Sequence, residues 1–133
     1  MNLISKADFL AQDDAAYEDV EVPNWGTVRV RSLTGAGRDN YMRGIMELRP
    51  DGTHSVKTED AEARLLALTL VDEEGNLWFD DVEEGVRILR ERNAGSLQKA
   101  YFVALKLNSL AEGDLEEALE NLDETPSDEP GSS

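Results

Sequence analysis

Few residues of this chain could do chemistry, and each stands in a setting that argues against it. His54 is the only histidine. A nucleophile–base–acid arrangement needs a buried, oriented imidazole. His54 lies in the polar run Gly52-Thr53-His54-Ser55, which reads as an exposed loop. One imidazole and no cysteine also leave too few nitrogen or sulfur ligands for a zinc site. Gly35-Ala36-Gly37 falls between a predicted strand and a predicted helix, where a phosphate-cradling loop would fall. The third glycine of the dinucleotide fingerprint is missing, because Asn40 stands there, and no parallel βαβ pattern surrounds it. Helix initiation explains the glycines better. Asp72, Glu73 and Glu74, then Asp80, Asp81, Glu83 and Glu84, offer carboxylates to a divalent cation. Their spacing fails the calcium-loop pattern, since Gly75 arrives too early and no Glu closes a loop of the right length. A solvated acidic loop and helix start accounts for them. The chain is therefore expected not to be an enzyme, with no catalytic residue, no metal site and no cofactor.

Residues suited to binding a partner are easier to find. Trp25 and Trp78 both fall in turn or extended segments. Tryptophan is enriched at interaction hot spots, although either ring also suits the edge of a core. Leu115, Leu119 and Leu122 repeat at helical spacing among Asp114, Glu116, Glu117 and Glu120. They predict a short amphipathic helix with an acidic outer face, either docked on the body or ready for a partner's groove. No basic residue follows Lys106. Beyond Leu122, proline, serine and acid predict a disordered acidic tail over 123–133.

Composition narrows the partners. A chain of 133 residues suits one domain, here expected over 1–122. Against 13 basic residues stand 29 acidic ones, a net charge of −16, with a pI near 4.2. That field repels nucleic acid and anionic membrane alike. It would steer in a basic partner surface, over a range limited by screening to about 8 Å at physiological salt. No apolar run approaches the length of a bilayer span, and the first residues lack the apolar stretch of a signal peptide. A soluble cytoplasmic protein is expected.

The elements that would position these residues can be read from periodicity. Ser5 and Asp8 resemble a capping box ahead of a helix near 6–12. Val20 and Val22 alternate with acids, Val28 and Val30 with arginines, and Pro23-Asn24-Trp25-Gly26 lies between them. This predicts a β-hairpin over about 18–33. Glu21 is expected to face Arg29 or Arg31 across it. Thr34 should cap a helix over about 36–48, with Tyr41, Met42, Ile45 and Leu48 as its stripe. Thr58 should cap another over about 59–70, built on Ala61, Leu65, Leu66 and Leu68. Leu77-Trp78-Phe79 reads as a short extended segment. Asp80 and Glu83 open a helix carrying Val82, Val86 and Leu89. The segment from Ser96 to Leu110 is the most apolar and is expected at the centre of the core. The fold class is α+β, mainly α: a hairpin followed by a compact bundle of four to five helices and an acidic tail.

The order of these pieces resembles a known family. Val20-Glu21-Val22-Pro23-Asn24-Trp25-Gly26-Thr27-Val28-Arg29-Val30-Arg31-Ser32-Leu33-Thr34-Gly35, followed by Arg38-Asp39, is similar to the opening of tail assembly chaperones from long-tailed bacteriophages. Leu68-Thr69-Leu70-Val71-Asp72-Glu73-Glu74-Gly75 with Phe79 resembles the family's middle segment. Ala104-Leu105-Lys106-Leu107-Asn108-Ser109-Leu110 before an acidic helix resembles its end. The resemblance implies a non-enzymatic role in the host cell cytoplasm. Such a chaperone would bind the apolar, helical tape-measure protein, keep it soluble, help recruit tail-tube subunits around it, and be absent from the finished virion. Self-association would be compatible with that role. The family has no catalytic residues to carry over. The rival reading is an acidic DNA-mimic inhibitor of a DNA-binding protein, which would need acids in paired rows over a folded surface.

Overall fold

The computed structural model describes residues 2–110. The alternating valines do what their period demands. Strands β1 (Tyr17–Val22) and β2 (Gly26–Arg31) pair antiparallel, and Val20, Val22, Val28 and Val30 are all buried on one face. Asn24 and Gly26 close the turn with φ of 71° and 105°, a conformation that asparagine and glycine tolerate best. The register differs from the expected one. Glu21 stands opposite Thr27, while Asp19 stands opposite Arg29 and ion-pairs with it at 2.6 Å. Pro23 cannot donate to a strand ladder, so it stays in the turn and pairing stops at Val22 and Gly26.

The helices follow largely as expected, with corrected ends. A short α1 (Lys6–Ala11) precedes the hairpin; Ser5 caps it by accepting from the Asp8 amide at 3.0 Å. Thr34 caps α2 (Gly35–Ile45) by accepting from the Gly37 amide, so the glycines there do initiate a helix. That helix stops at Ile45 and not near residue 48. Met46–Leu48 (β3) instead forms a second hairpin with His54–Val56 (β4). Arg49-Pro50-Asp51-Gly52 is the connecting turn, with Gly52 at φ 90° and the Arg49 amide bonded to the Thr53 carbonyl at 2.7 Å. Leu48 continues the helical spacing in sequence but points to solvent. His54 therefore lies in a strand, half-buried, rather than in an exposed loop.

Helix α3 (Ala61–Thr69) starts after Asp60, not Thr58. Asp60 adopts a left-handed backbone (φ 62°) and gives its carboxylate to Arg90 at 3.2 Å instead of capping the helix. Strand β5 (Leu70–Val71) then joins β2, making a three-stranded sheet of order β1-β2-β5. Asp81, one residue later than expected, caps α4 (Val82–Leu89). Asn93 caps α5 (Ala94–Leu107) through the Ser96 amide, so Ala94 and Gly95 belong to the helix.

The centre of the core is α3, not α5. Ala61, Ala63, Leu65, Leu66, Ala67, Leu68 and Thr69 are all buried, and α3 touches α2, α4, α5 and β2. Helix α5 buries one face, on Leu97, Ala100 and Ala104, and leaves Phe102 exposed. Its apolar residues outnumber what one stripe can cover, so the excess faces outward. Both ends of α5 are pinned to the sheet side. Ser96 donates to the Pro23 carbonyl at 2.6 Å, and Asn108 accepts from the Leu33 amide at 2.6 Å. A mainly helical α+β architecture with an early hairpin is therefore the observed fold. The acidic helix expected around Leu115, Leu119 and Leu122, and the tail after it, lie outside the described residues.

Candidate functional site

The two tryptophans, remote in sequence, meet on one cleft. The hairpin turn supplies Asn24 and Trp25, β2 supplies Val28, the segment after β5 supplies Trp78 and Phe79, and α4 with its following turn supplies Ile88, Leu89 and Arg92. The cleft has a volume of about 460 Å³, within the range of roughly 300–1,000 Å³ common for ligand sites. Its floor is buried Val28 and Leu89. Its walls are left partly open to water: Trp78 is 46% and Ile88 39% exposed, while Trp25 is half-buried against the core.

Local chemistry explains each wall. The Asp72 carboxylate accepts from the amides of Glu74 and Asn76 at 2.9 and 3.0 Å, and Gly75 takes φ 88°. This tight acidic turn sends the chain back along β5, where Trp78 donates its amide to the Leu70 carbonyl at 3.0 Å. The acids form the exposed, solvated loop expected of them, and one of them, Asp72, also braces the turn that aims Trp78. Phe79 meets the Trp78 ring edge-on, with centroids 6.5 Å apart, and packs over Gly85. A Cβ at Gly85 would fall 2.9 Å from both Phe79 and Ala67, so only glycine lets α4 approach this closely. On the far side, the Ser96–Pro23 hydrogen bond holds the turn bearing Trp25.

The cleft offers little to a polar ligand. Asn24 and Arg92 are its polar lining residues. Among the described residues Arg92 forms no ion pair. What the cleft can do is accept apolar or aromatic side chains, with one cation at the rim for a carboxylate.

A second cleft, of about 400 Å³, lies between α2, the start of α3 and α5. Four of its polar groups pair with one another. The hydroxyls of Tyr41 and Tyr101 are 3.3 Å apart, and Asp60 pairs with Arg90. Burial pushes the Glu62 carboxyl up and, more strongly, the Tyr41 hydroxyl, so Tyr41 stays protonated. Nothing in this cleft joins a nucleophile to a base. Among the described residues no group of three His, Cys, Asp or Glu is placed to hold a metal ion, and no helix is long and apolar enough to cross a membrane.

Of the residues the sequence singled out, Trp25 and Trp78 are therefore brought together. Leu115, Leu119 and Leu122 lie outside the described residues. Phe79, Ile88 and Arg92 were not anticipated. Ile88 carried a readable signal, since it lies off the Val82-Val86-Leu89 stripe among charged neighbours. Phe79 and Arg92 carried none without the tertiary fold. No protein-family model matches the chain, and neither does any curated protein or solved structure.

Proposed function

We propose that this chain is a non-enzymatic assembly chaperone of a bacteriophage tail, and that it keeps an apolar, helical tape-measure protein soluble until tail-tube subunits enclose it. The observation that carries this reading is the cleft: Trp78 and Ile88 stay exposed beside Trp25 on a body of high negative charge. An amphipathic client helix would seat one or two large apolar side chains between the tryptophans. Burying each would contribute about 1.5–3 kcal/mol. The negative coat would keep the complex dispersed by like-charge repulsion. The motifs around Val20–Gly35, Leu68–Gly75 and Ala104–Leu110 supply the link to the tail assembly family. The client surface proposed here is the tryptophan cleft, which is concave with exposed apolar walls, whereas α5 turns Leu97, Ala100 and Ala104 into the core and leaves Phe102 outward.

A DNA mimic draws no support from this site, whose walls are apolar. Co-expression with the long tape-measure protein of the same genome tests the proposal. The client should stay in the soluble fraction and co-purify with the wild-type chain. A Trp78→Ser/Ile88→Ser variant should lose most of that effect while retaining its fold. A client that precipitates equally with and without the chain would end the proposal.

A further inference from the structure

The N-terminal arm is built like a plug with nothing plugged. Helix α1 buries no residue, and Leu3, Ile4, Phe9 and Leu10 are all exposed, Leu3 to 86%. Among the described residues these four are a third of the exposed large hydrophobics or more, gathered in eight consecutive positions. The arm is locally organised rather than merely trailing. Ser5 caps α1 through the Asp8 amide, which places Ile4 and Phe9 at the two positions of a hydrophobic staple. The same chain exposes an apolar cleft at Trp25, Trp78 and Ile88.

We infer that the arm of one copy docks its Leu3, Ile4, Phe9 and Leu10 into the Trp25–Trp78 cleft of a second copy, in a reciprocal exchange that closes a two-fold dimer. Three observations favour a second copy as the occupant. First, charge: Asp8 stands within the arm's apolar set, and exposed Arg92 stands at the cleft's rim without an ion pair among the described residues. Secondly, direction: the arm leaves β1 at Tyr17, opposite Arg31, whereas the hairpin residues of the cleft, Asn24, Trp25 and Val28, lie towards its turn end. Thirdly, area. One arm in one cleft falls short of the roughly 1,200–2,000 Å² of a stable interface, and reciprocal exchange doubles the buried surface towards it. A two-fold arrangement uses the same patch on both copies and leaves neither an arm nor a cleft open.

Net charge opposes the dimer, because two chains of −16 repel each other. Added salt should therefore tighten it several-fold, the reverse of an association driven by ion pairs. The dimer and the proposed client compete for one cleft, yet the dimer is measured without any client, so the two ideas fail separately.

The chain has no cysteine, which makes directed cross-linking clean. Sedimentation of the wild-type full chain from low to high micromolar concentration should show a reversible dimer that strengthens in high salt. The Phe9→Asp/Leu10→Asp variant should stay monomeric. It alters only exposed residues, and its circular dichroism should match the wild type. In an equal mixture of Leu10→Cys and Ile88→Cys chains under mild oxidation, the mixed disulfide should exceed its statistical share. A wild-type chain that is monomeric throughout overturns the inference. So does cross-linking at the random ratio, or a Leu10→Cys/Ile88→Cys chain that closes on itself at high dilution while the mixture stays unlinked.

Discussion

The Ser96 hydroxyl donates to the carbonyl oxygen of Pro23 at 2.6 Å, joining the first turn of α5 to the turn of the first hairpin. Ser96 is buried, and Trp25 stands two residues beyond Pro23. One hydrogen bond thus ties the helix that covers the sheet to a wall of the cleft. Replacing Ser96 by Ala leaves a carbonyl without its partner and should cost about 1–3 kcal/mol. Urea denaturation should show the midpoint fall, and in a Trp78→Phe background, where Trp25 emits alone, emission should move to the red as its turn loosens. An unchanged midpoint would mean that water replaces the hydroxyl freely.

Gly85 sets how closely α4 approaches α3. Gly85→Ala would bring a methyl group to 2.9 Å from Phe79 and Ala67. Overpacking of this kind costs about 1–3 kcal/mol, offset by about 1 kcal/mol of helix propensity. A net loss is expected, together with displacement of Phe79 from the cleft. Thermal unfolding measures the first and tryptophan emission the second. A more stable variant would show that the Phe79 ring swings aside without penalty.

Arg64 crosses from α3 to Asn40 on α2 and to Glu83 on α4, with the Glu83 contact at 2.9 Å. Gly44 leaves it room, since a Cβ there would run into the Arg64 side chain. The Arg64 guanidinium holds the Glu83 carboxyl below its ordinary value of 4.5. A lowered folded-state pKa contributes stability above the unfolded value, and that contribution fades as pH falls through the folded value. Glu62 works the other way, since burial raises its pKa and protonation relieves the strain of the charge. Glu83→Gln should therefore lower the denaturation midpoint at neutral pH and match the wild type in strong acid. Glu83 is exposed, so the neutral-pH difference should be about 1 kcal/mol or less. A variant equally destabilised at both pH values would assign the effect to packing.

At the alkaline end the buried Tyr41 contributes. Burial, and then the Tyr101 hydroxyl, push its pKa well above the ordinary value of 10.0. Unfolded chains release that proton near 10.0 while folded chains hold it, so stability should fall as pH rises past that point. Tyr41→Phe removes this residue's part of the slope and leaves that of Tyr17, whose pKa its hydrogen bond to Asp13 also raises. Comparing urea midpoints of the two proteins between pH 8 and pH 11 checks it (conditions of roughly this span bracket an ordinary tyrosine). Parallel curves would contradict it.

Much of this architecture was legible where one residue type had one physical use. Alternating Val20, Val22, Val28 and Val30 could bury only as strands, and Ser5, Thr34 and the apolar stripe of α3 marked helices plainly. Ambiguity arose where two periods agreed. Leu48 fits a helix continuing from Ile45 and also a strand, and only the Pro50–Gly52 turn decides between them. Caps were misplaced at Thr58 and Asp80: α3 starts only after the left-handed Asp60, whose carboxylate goes to Arg90, and the next carboxylate, Asp81, takes the cap of α4. The site was half legible. Trp25 and Trp78 stood out by type, but their meeting depends on the Asp72–Asn76 turn and on Gly85, which are tertiary facts.

The central claim is that the cleft between Trp25 and Trp78 receives apolar side chains of a helical partner. Tryptophan emission during titration with an amphipathic fragment of the proposed client reads this directly, since both rings line the cleft. Emission of the wild-type chain should shift to the blue and saturate, and an Ile88→Glu variant should show no shift at the same concentrations. Emission that stays constant while the fragment binds elsewhere, or a shift that Ile88→Glu leaves intact, would contradict the account.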